Sequence, residues 1–164
     1  MKVGILSDTH NDSNTLQAIL KHMREEKLTT IFHCGDVTSP DMIKYFNGFT
    51  VHLGFGNGDY LTGALKEALI LLGTDSTAKR LNTLSFSSKQ ILIAHGNYPR
   101  EFHELATSGR FEYIFTGHSH EREHSLAENT RIINPGAASR TGQPSYSYAI
   151  FNFQNNNLDY YQIH

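Results

Sequence analysis

The sequence predicts one α/β domain built on two packed sheets. Short apolar runs alternate with amphipathic helical stripes through the first two thirds of the chain, and only strand-like segments follow. No linker, repeat or low-complexity stretch separates the two parts. At 164 residues the chain is long enough to bury a sizeable core as a single domain over residues 1–164.

The elements follow in order. Val3–Leu6 is a short buried strand. Leu16, Ile19, Leu20 and Met23 recur at helical spacing, with Asp12 or Ser13 as the cap. TTIFHCGD (29–36) is a second strand ending in a turn. Ser39 before Pro40 opens a short helix that Gly48 closes. FTVHLGFGNGD (49–59) is a third strand entering a glycine-rich loop. Leu61, Ala64, Leu65, Ala68, Leu69 and Leu72 form a helical stripe stopped at Gly73. Leu84–Phe86 and Gln90–Ala94 flank Ser-Ser-Lys as a hairpin running into His95. Pro99–Ser108 is a short helix, and Tyr113–Phe115 a strand ending in GHSH. His124–Leu126, Arg131–Ile133, Tyr146–Phe153 and Leu158–Ile163 complete the strands, the last two joined by Gln-Asn-Asn-Asn.

A net charge of −2 argues against bulk nucleic-acid binding. No stretch approaches the roughly 18–20 apolar residues of a membrane span, and the N-terminus has no long apolar h-region, so a cytoplasmic protein is expected. Cys34 is the only cysteine, which excludes an internal disulfide. Ten histidines against fourteen Lys plus Arg make the placement of imidazoles the informative question.

Asp8 and His10 follow the first strand, Asp36 the second and Asn57 the third; His95 follows QILIA, and His118 and His120 follow EYIF. Residues i and i+2 on a strand point the same way, so Asp8 and His10 can aim at one point, as can His118 and His120. Ligands bind at that carboxyl edge of open α/β sheets. Singly each motif is weak: GD and GNGD are common turns, and a lone DxH is more often a turn with a surface histidine. Together, two carboxylates, four imidazoles and an amide would be costly to gather without a cation. They form a mixed N/O set suited to manganese, iron, cobalt, nickel or zinc. Two divalent ions against Asp8 and Asp36 leave about +2 of formal charge, which attracts an anion and acidifies water.

DTH (8–10), GD (35–36), GNGD (56–59), HG (95–96) and GHSH (117–120) resemble, in order, the motifs of the calcineurin-like metallophosphoesterases. INPGAASR (133–140) and the terminal hairpin resemble its small bacterial and archaeal YfcE-like phosphodiesterase branch. The resemblance implies a four-layer α-β-β-α sandwich. It implies one metal on Asp8, His10 and His120, a second on Asn57, His95 and His118, and Asp36 bridging the two. Asp36, Asn57 and His95 are then catalytic candidates as well as ligands. The implied activity is hydrolysis of a small phosphate ester, a diester first, by in-line attack of a metal-bridging hydroxide.

Many relatives carry a histidine after the asparagine ligand that protonates the leaving group; here that position is Gly58. Its absence favours substrates with good leaving groups. His103 is a substitute candidate, with a surface role the simpler expectation. Asp59 is expected to cap the helix near Tyr60. His33 reads equally as a packed residue or as one orienting a ligand, and Cys34 as a buried hydrophobe. Asn134-Pro135-Gly136 reads as a turn with a supporting role open, and Arg122 and Arg140 as solvated surface. His22, His52, His124 and His164 carry no functional expectation.

A rival reading is a catalytically weak interaction module like the retromer scaffold, which shares this fold but has lost several site histidines. A dinucleotide-binding fold is disfavoured because no GxGxxG follows the first strand. Exposed strand edges permit a homodimer without requiring one.

Overall fold

The computed structural model describes residues 1–140 and 146–163, so His164 lies outside the described residues. The order is β1 (Lys2–Leu6), α1 (Ser13–Glu25), β2 (Thr30–His33), a 3-10 helix (Pro40–Phe46), β3 (Thr50–Gly54), α2 (Thr62–Ile70), β4 (Thr77–Lys79) and β5 (Leu81–Phe86). Then follow β6 (Lys89–Ala94), α3 (Pro99–Ala106), β7 (Tyr113–Phe115), β8 (Arg122–Ala127), β9 (Thr130–Pro135), β10 (Tyr146–Asn152) and β11 (Asn157–Ile163).

The strands form two mixed sheets, ordered β11-β10-β1-β2-β3-β4 and β5-β6-β7-β9-β8. In the first, β1 to β4 run parallel, with β10 antiparallel to β1; in the second, β6, β7 and β9 run parallel between antiparallel edges. The strand period of two sorts their side chains between layers. Val3, Ile5, Phe32, Phe151, Ile91, Ile93 and Phe115 meet between the sheets. Leu6, Ile31 and Ile150 face the other way, into a core with Leu16, Ile19 and Leu20 of α1 and Leu65 and Leu69 of α2. Leu92, Ala94, Ile114 and Ile132 cover the far face of the second sheet, where Ala106 of α3 packs. The result is the four-layer arrangement, helices outside and sheets within. Gly4 in β1 has a packing cause: a Cβ there would stand 2.6 Å from the Met23 side chain of α1.

Asp12 caps α1 by accepting from the Thr15 N–H, and Ser39 caps the Pro40 helix by accepting from the Asp41 N–H. The β5–β6 hairpin turns on Ser87 and Ser88, both at positive φ (49° and 61°), which matches the twist of a two-residue turn. Several boundaries differ from expectation. β4 lies where the sequence shows no apolar run, only Ala78 between Thr77 and Lys79, because it is a three-residue edge strand completing the parallel run beside β3. β5 begins at Leu81, since Leu81–Thr83 pair with Leu92–Ala94 although they lack an apolar run. Strand 8 is longer than His124–Leu126, and α2 stops at Ile70 while Leu72 packs on as a turn residue. No helix among the described residues is long and apolar enough to cross a membrane.

Candidate metal centre

The carboxyl ends of β1, β2 and β3 in one sheet meet those of β6 and β7 in the other, and the loops leaving them carry the candidate ligands. Two hydrogen bonds tie the sheets together there: the His118 N–H donates to Asp8 Oδ2 (3.1 Å), and His95 Nδ1 donates to the Cys34 carbonyl (2.7 Å).

The donor atoms converge. Asp8 Oδ1 lies 3.7 Å from His10 Nε2, 3.2 Å from His120 Nε2 and 3.9 Å from His95 Nε2. Asp36 Oδ2 stands 3.8 Å from His10 Nε2 and 3.5 Å from His95 Nε2. The rings pair as His10 with His120 (centroids 5.4 Å apart) and His95 with His118 (5.0 Å). Asn57 is exposed, and its amide makes no hydrogen bond among the described residues. Its loop nevertheless abuts the cluster, since the Gly58 N–H donates to Asp36 Oδ1 (2.6 Å) and a Cβ on Gly56 would collide with that same oxygen.

Asp8, His10 and His120, and likewise Asp8, Asp36 and His95, place one donor atom each within 4.8 Å of one another. Two ligands each about 2.0–2.2 Å from one cation stand roughly 3–4 Å apart at ordinary coordination angles. Most of these separations exceed hydrogen-bond length. Four buried side-chain polar atoms lack a partner among the described residues; three are Asp8 Oδ1, His10 Nε2 and His95 Nε2, and the fourth is Thr38 Oγ1, two residues from Asp36. Such orphans are costly in a folded interior. Cations held by these two residue groups would satisfy all three ligand-type atoms, so the residues fit divalent metal.

Convergence does not arise from the strand pleat. β1 ends at Leu6 and β7 at Phe115, and the ligands lie beyond in left-handed backbone: φ is 55° at Asp8, 41° at His10, 58° at Asp36, 68° at His118 and 61° at His120. Each such non-glycine residue costs about 1–2 kcal/mol. Strain of this kind persists only where the surroundings enforce it.

The enforcing bonds are specific. Ser7 Oγ donates to Asp8 Oδ2 (2.5 Å), and a Cβ on Gly117 would collide with that hydroxyl, so glycine is required opposite it. The carbonyl partner of His95 Nδ1 fixes the proton there and leaves Nε2 a lone pair facing the cluster. Burial depresses the His95 pKa, but the adjacent Asp36 and Asp8 carboxylates and the Cys34 carbonyl outweigh it and hold it above the ordinary histidine value. Burial raises Asp36, yet the neighbouring His95 imidazole, the Gly58 N–H and His10 bring it below the usual carboxylate range. His118 is lowered by burial and by His95.

Asp59 departs from expectation. Leu61, not Asp59, occupies the N-cap of α2. The Asp59 carboxylate is buried and accepts from the backbone N–H groups of Asp36 (2.9 Å), Thr38 (2.8 Å) and Gly56 (2.9 Å), stitching the β2 loop to the β3 loop. His33 accepts the Gly35 N–H at Nδ1 and therefore carries its proton on Nε2, which reaches Thr9 Oγ1 (3.2 Å). It braces two ligand loops while touching no ligand. Burial, then the nearby His95 charge, pushes its pKa down to about 3. Asn134 belongs to β9 and donates to the Gly117 carbonyl and Ser119 Oγ, holding the GHSH loop. Ser7 carried no expectation, Asn134 was read as a turn residue with a supporting role open and lies instead in β9, and Asp59 was visible only as the acid ending GNGD.

The remaining candidates stay peripheral. Cys34 is fully buried, and burial raises its thiol well above the ordinary range. His103 is exposed on α3 and makes no hydrogen bond or ring contact with the cluster among the described residues. Arg122 lies over Tyr160, and Arg140 over Tyr146. His22 bonds the Tyr148 hydroxyl, His52 the Thr77 hydroxyl, and His124 accepts from Arg131.

A family model described as the calcineurin-like phosphoesterase superfamily domain matches residues 1–156. Phosphodiesterase MJ0936 of Methanocaldococcus jannaschii is 28% identical over 138 residues, 83% of this chain and 83% of that protein. The solved structure of a novel archaeal phosphodiesterase superposes with a TM-score of 0.94 at 24% identity, covering 99% of this chain and 100% of that one. A single-substitution variant of Vps29 from Entamoeba histolytica superposes at 0.72 with 15% identity over 100% of both chains. These two likenesses show the fold. With the family model spanning nearly the whole chain, the protein belongs to the calcineurin-like phosphoesterase superfamily.

Proposed function

We propose that the protein is a two-metal phosphodiesterase acting on a small phosphate ester in the cytoplasm. The observation that carries this is the set of buried, unpartnered atoms Asp8 Oδ1, His10 Nε2 and His95 Nε2, the two imidazole nitrogens 3.7 and 3.9 Å from the carboxylate oxygen. Asp8, His10 and His120 would hold one divalent cation, and Asn57, His95 and His118 the other, with Asp36 shared. Manganese is the first choice, ahead of nickel, iron, cobalt and zinc. When bound, such ions supply Lewis acidity toward the phosphate oxygens and an acidified water as the attacking group.

The chain's own residues set the geometry. Ser7 and the His118 N–H hold one oxygen of Asp8, and the Gly58 N–H holds one oxygen of Asp36, so the other oxygen of each is free to face a ligand. The Cys34 carbonyl fixes His95 in the tautomer whose Nε2 can coordinate. Neither candidate for a leaving-group acid is in place, since position 58 is glycine and His103 is exposed on α3. Esters whose alcohol leaves as a stable anion, aryl diesters above all, therefore suit the site. The name of the M. jannaschii relative supports the diester reading.

The Vps29 likeness gives the interaction-module reading its one support. Against it, both aspartates and all four histidines are present and assembled. Asp36→Ala is expected to abolish turnover of bis(4-nitrophenyl) phosphate in manganese, with the fold checked by circular dichroism. Full activity in that variant defeats the mechanism. Two bound ions with no hydrolysis of any ester would favour the interaction module.

A further inference from the structure

Beside the Asn57 and His95 end of the cluster runs a trough of about 160 Å³, lined by Phe55, Gly56, Asn57, Arg80, Asn97 and Tyr98 together with Thr62. A neighbouring cavity shares Arg80, Asn97 and Tyr98 and reaches His95 itself. The trough is therefore continuous with the proposed ligands, yet none of Phe55, Arg80, Asn97 or Tyr98 belongs to the ligand set.

We propose that this trough receives a planar aromatic group of the phosphate ester, an aryl or nucleobase ring, with Tyr98 as its stacking face. The inference rests on the phosphodiesterase reading and narrows its substrate class.

Four observations carry it. Tyr98 is 55% exposed at the mouth, a large apolar ring left open to solvent beside a polar cluster. The Arg80 guanidinium lies 5.3 Å from the Tyr98 ring centre and is gripped by both carboxylate oxygens of Glu101 (2.8 Å for Nη2 to Oε1), which holds the cation against the ring. Phe55, nearly buried, adds a second aromatic wall. The volume matches the roughly 150 Å³ at which an apolar cavity admits benzene.

Charge favours a ring over a second phosphoryl group at Tyr98. Arg80 and Arg100 beside it are each paired with a glutamate, Glu101 or Glu104, and the Lys66 ammonium lies over the Phe55 ring, 5.7 Å from its centre. A second anion at Tyr98 would meet those carboxylates. A neutral ring meets aromatic faces and the Asn97 amide instead.

The test compares benzylphosphonate with methylphosphonate, measured by calorimetry on the full chain loaded with manganese. Neither has an ester bond to cleave, and the methylene of the first stands where an ester oxygen would be. Benzylphosphonate is expected to bind about tenfold tighter, in line with aromatic stacking. Tyr98→Ala should abolish that preference while leaving methylphosphonate affinity within about twofold, and Tyr98→Phe should keep it. Equal affinity of the two ligands for the unaltered protein overturns the trough alone. So does a Tyr98→Ala variant that keeps the preference, or one that weakens both ligands equally. Failure of both phosphonates to bind overturns the trough and the phosphate site together, whereas loss of ester hydrolysis with the preference intact strikes only the catalytic reading.

Discussion

Asp8, Asp36 and His95 are each no more than 3% exposed, and each has one polar atom tied to the protein while another faces the cluster. His118 and Asn57 are exposed, and His10 and His120 are partly so; their side chains make no hydrogen bond among the described residues. The inner residues are thus positioned by folding, and the outer ones are left for a ligand to position. Changes at the inner half should cost stability as well as binding, and changes at the outer half should cost binding alone.

The largest effect falls on the support of the inner half. Asp59→Ala would leave three backbone N–H groups without their acceptor, at about 1–3 kcal/mol each where burial persists. A loss of roughly 3 kcal/mol or more is expected, lowering Tm by roughly 6–12 °C for a domain of this size. Manganese affinity should fall about 10–100-fold, as when residues behind metal ligands are removed. Thermal unfolding without metal and a calorimetric metal titration check both. An unchanged Tm would break the contrast between the halves.

A smaller effect is conditional on pH. His33 braces Thr9 and Gly35 in neutral form, its pKa pushed down to about 3 by burial and by His95. Between about pH 6.5 and 3 the unfolded chain binds a proton that the folded chain refuses, so stability is full above that window and falls as pH drops through it. By pH 5 the loss reaches about 2 kcal/mol. His33→Gln, which can still accept from Gly35 and donate to Thr9, should flatten this slope in urea titrations at pH 7 and pH 5. An equal loss in both proteins would remove His33 from the acid sensitivity.

Much of the site was legible because its ligands follow apolar runs that are unmistakable strands: KVGIL, TIFH, QILIA and YIF each precede a ligand-bearing loop. Pairing into two sheets then brings the loops together, which only a long-range fold can do. What stayed hidden lacked local periodicity or depended on tertiary contact. Thr77–Lys79 has no apolar pattern and becomes β4 only because β3 offers an open edge. Strand alternation paired Asp8 with His10, whereas in the fold both lie in left-handed backbone, a conformation Asp and His adopt more readily than most residues and one that alternation does not consider. Asp59 followed local capping chemistry on paper, whereas in the fold three N–H groups from two other loops claim it.

The smallest stability effect sharpens the contrast most. His118 is exposed, and its contribution to the inner half comes from its backbone: the N–H that holds Asp8 Oδ2 survives any substitution except proline. His118→Ala should therefore change metal-free stability by no more than about 0.5 kcal/mol. His118→Gly should even stabilise by about 1 kcal/mol, since φ is 68° there and glycine adopts that region without penalty. Metal stoichiometry should nonetheless fall from two ions to one in both variants, because the imidazole lost is the one packed on His95. His120→Ala should likewise lose one ion, the one beside His10 and Asp8. A His118→Ala protein that still binds two ions, or one that loses stability as Asp59→Ala does, would show that the outer imidazoles are not the ligand-ordered half.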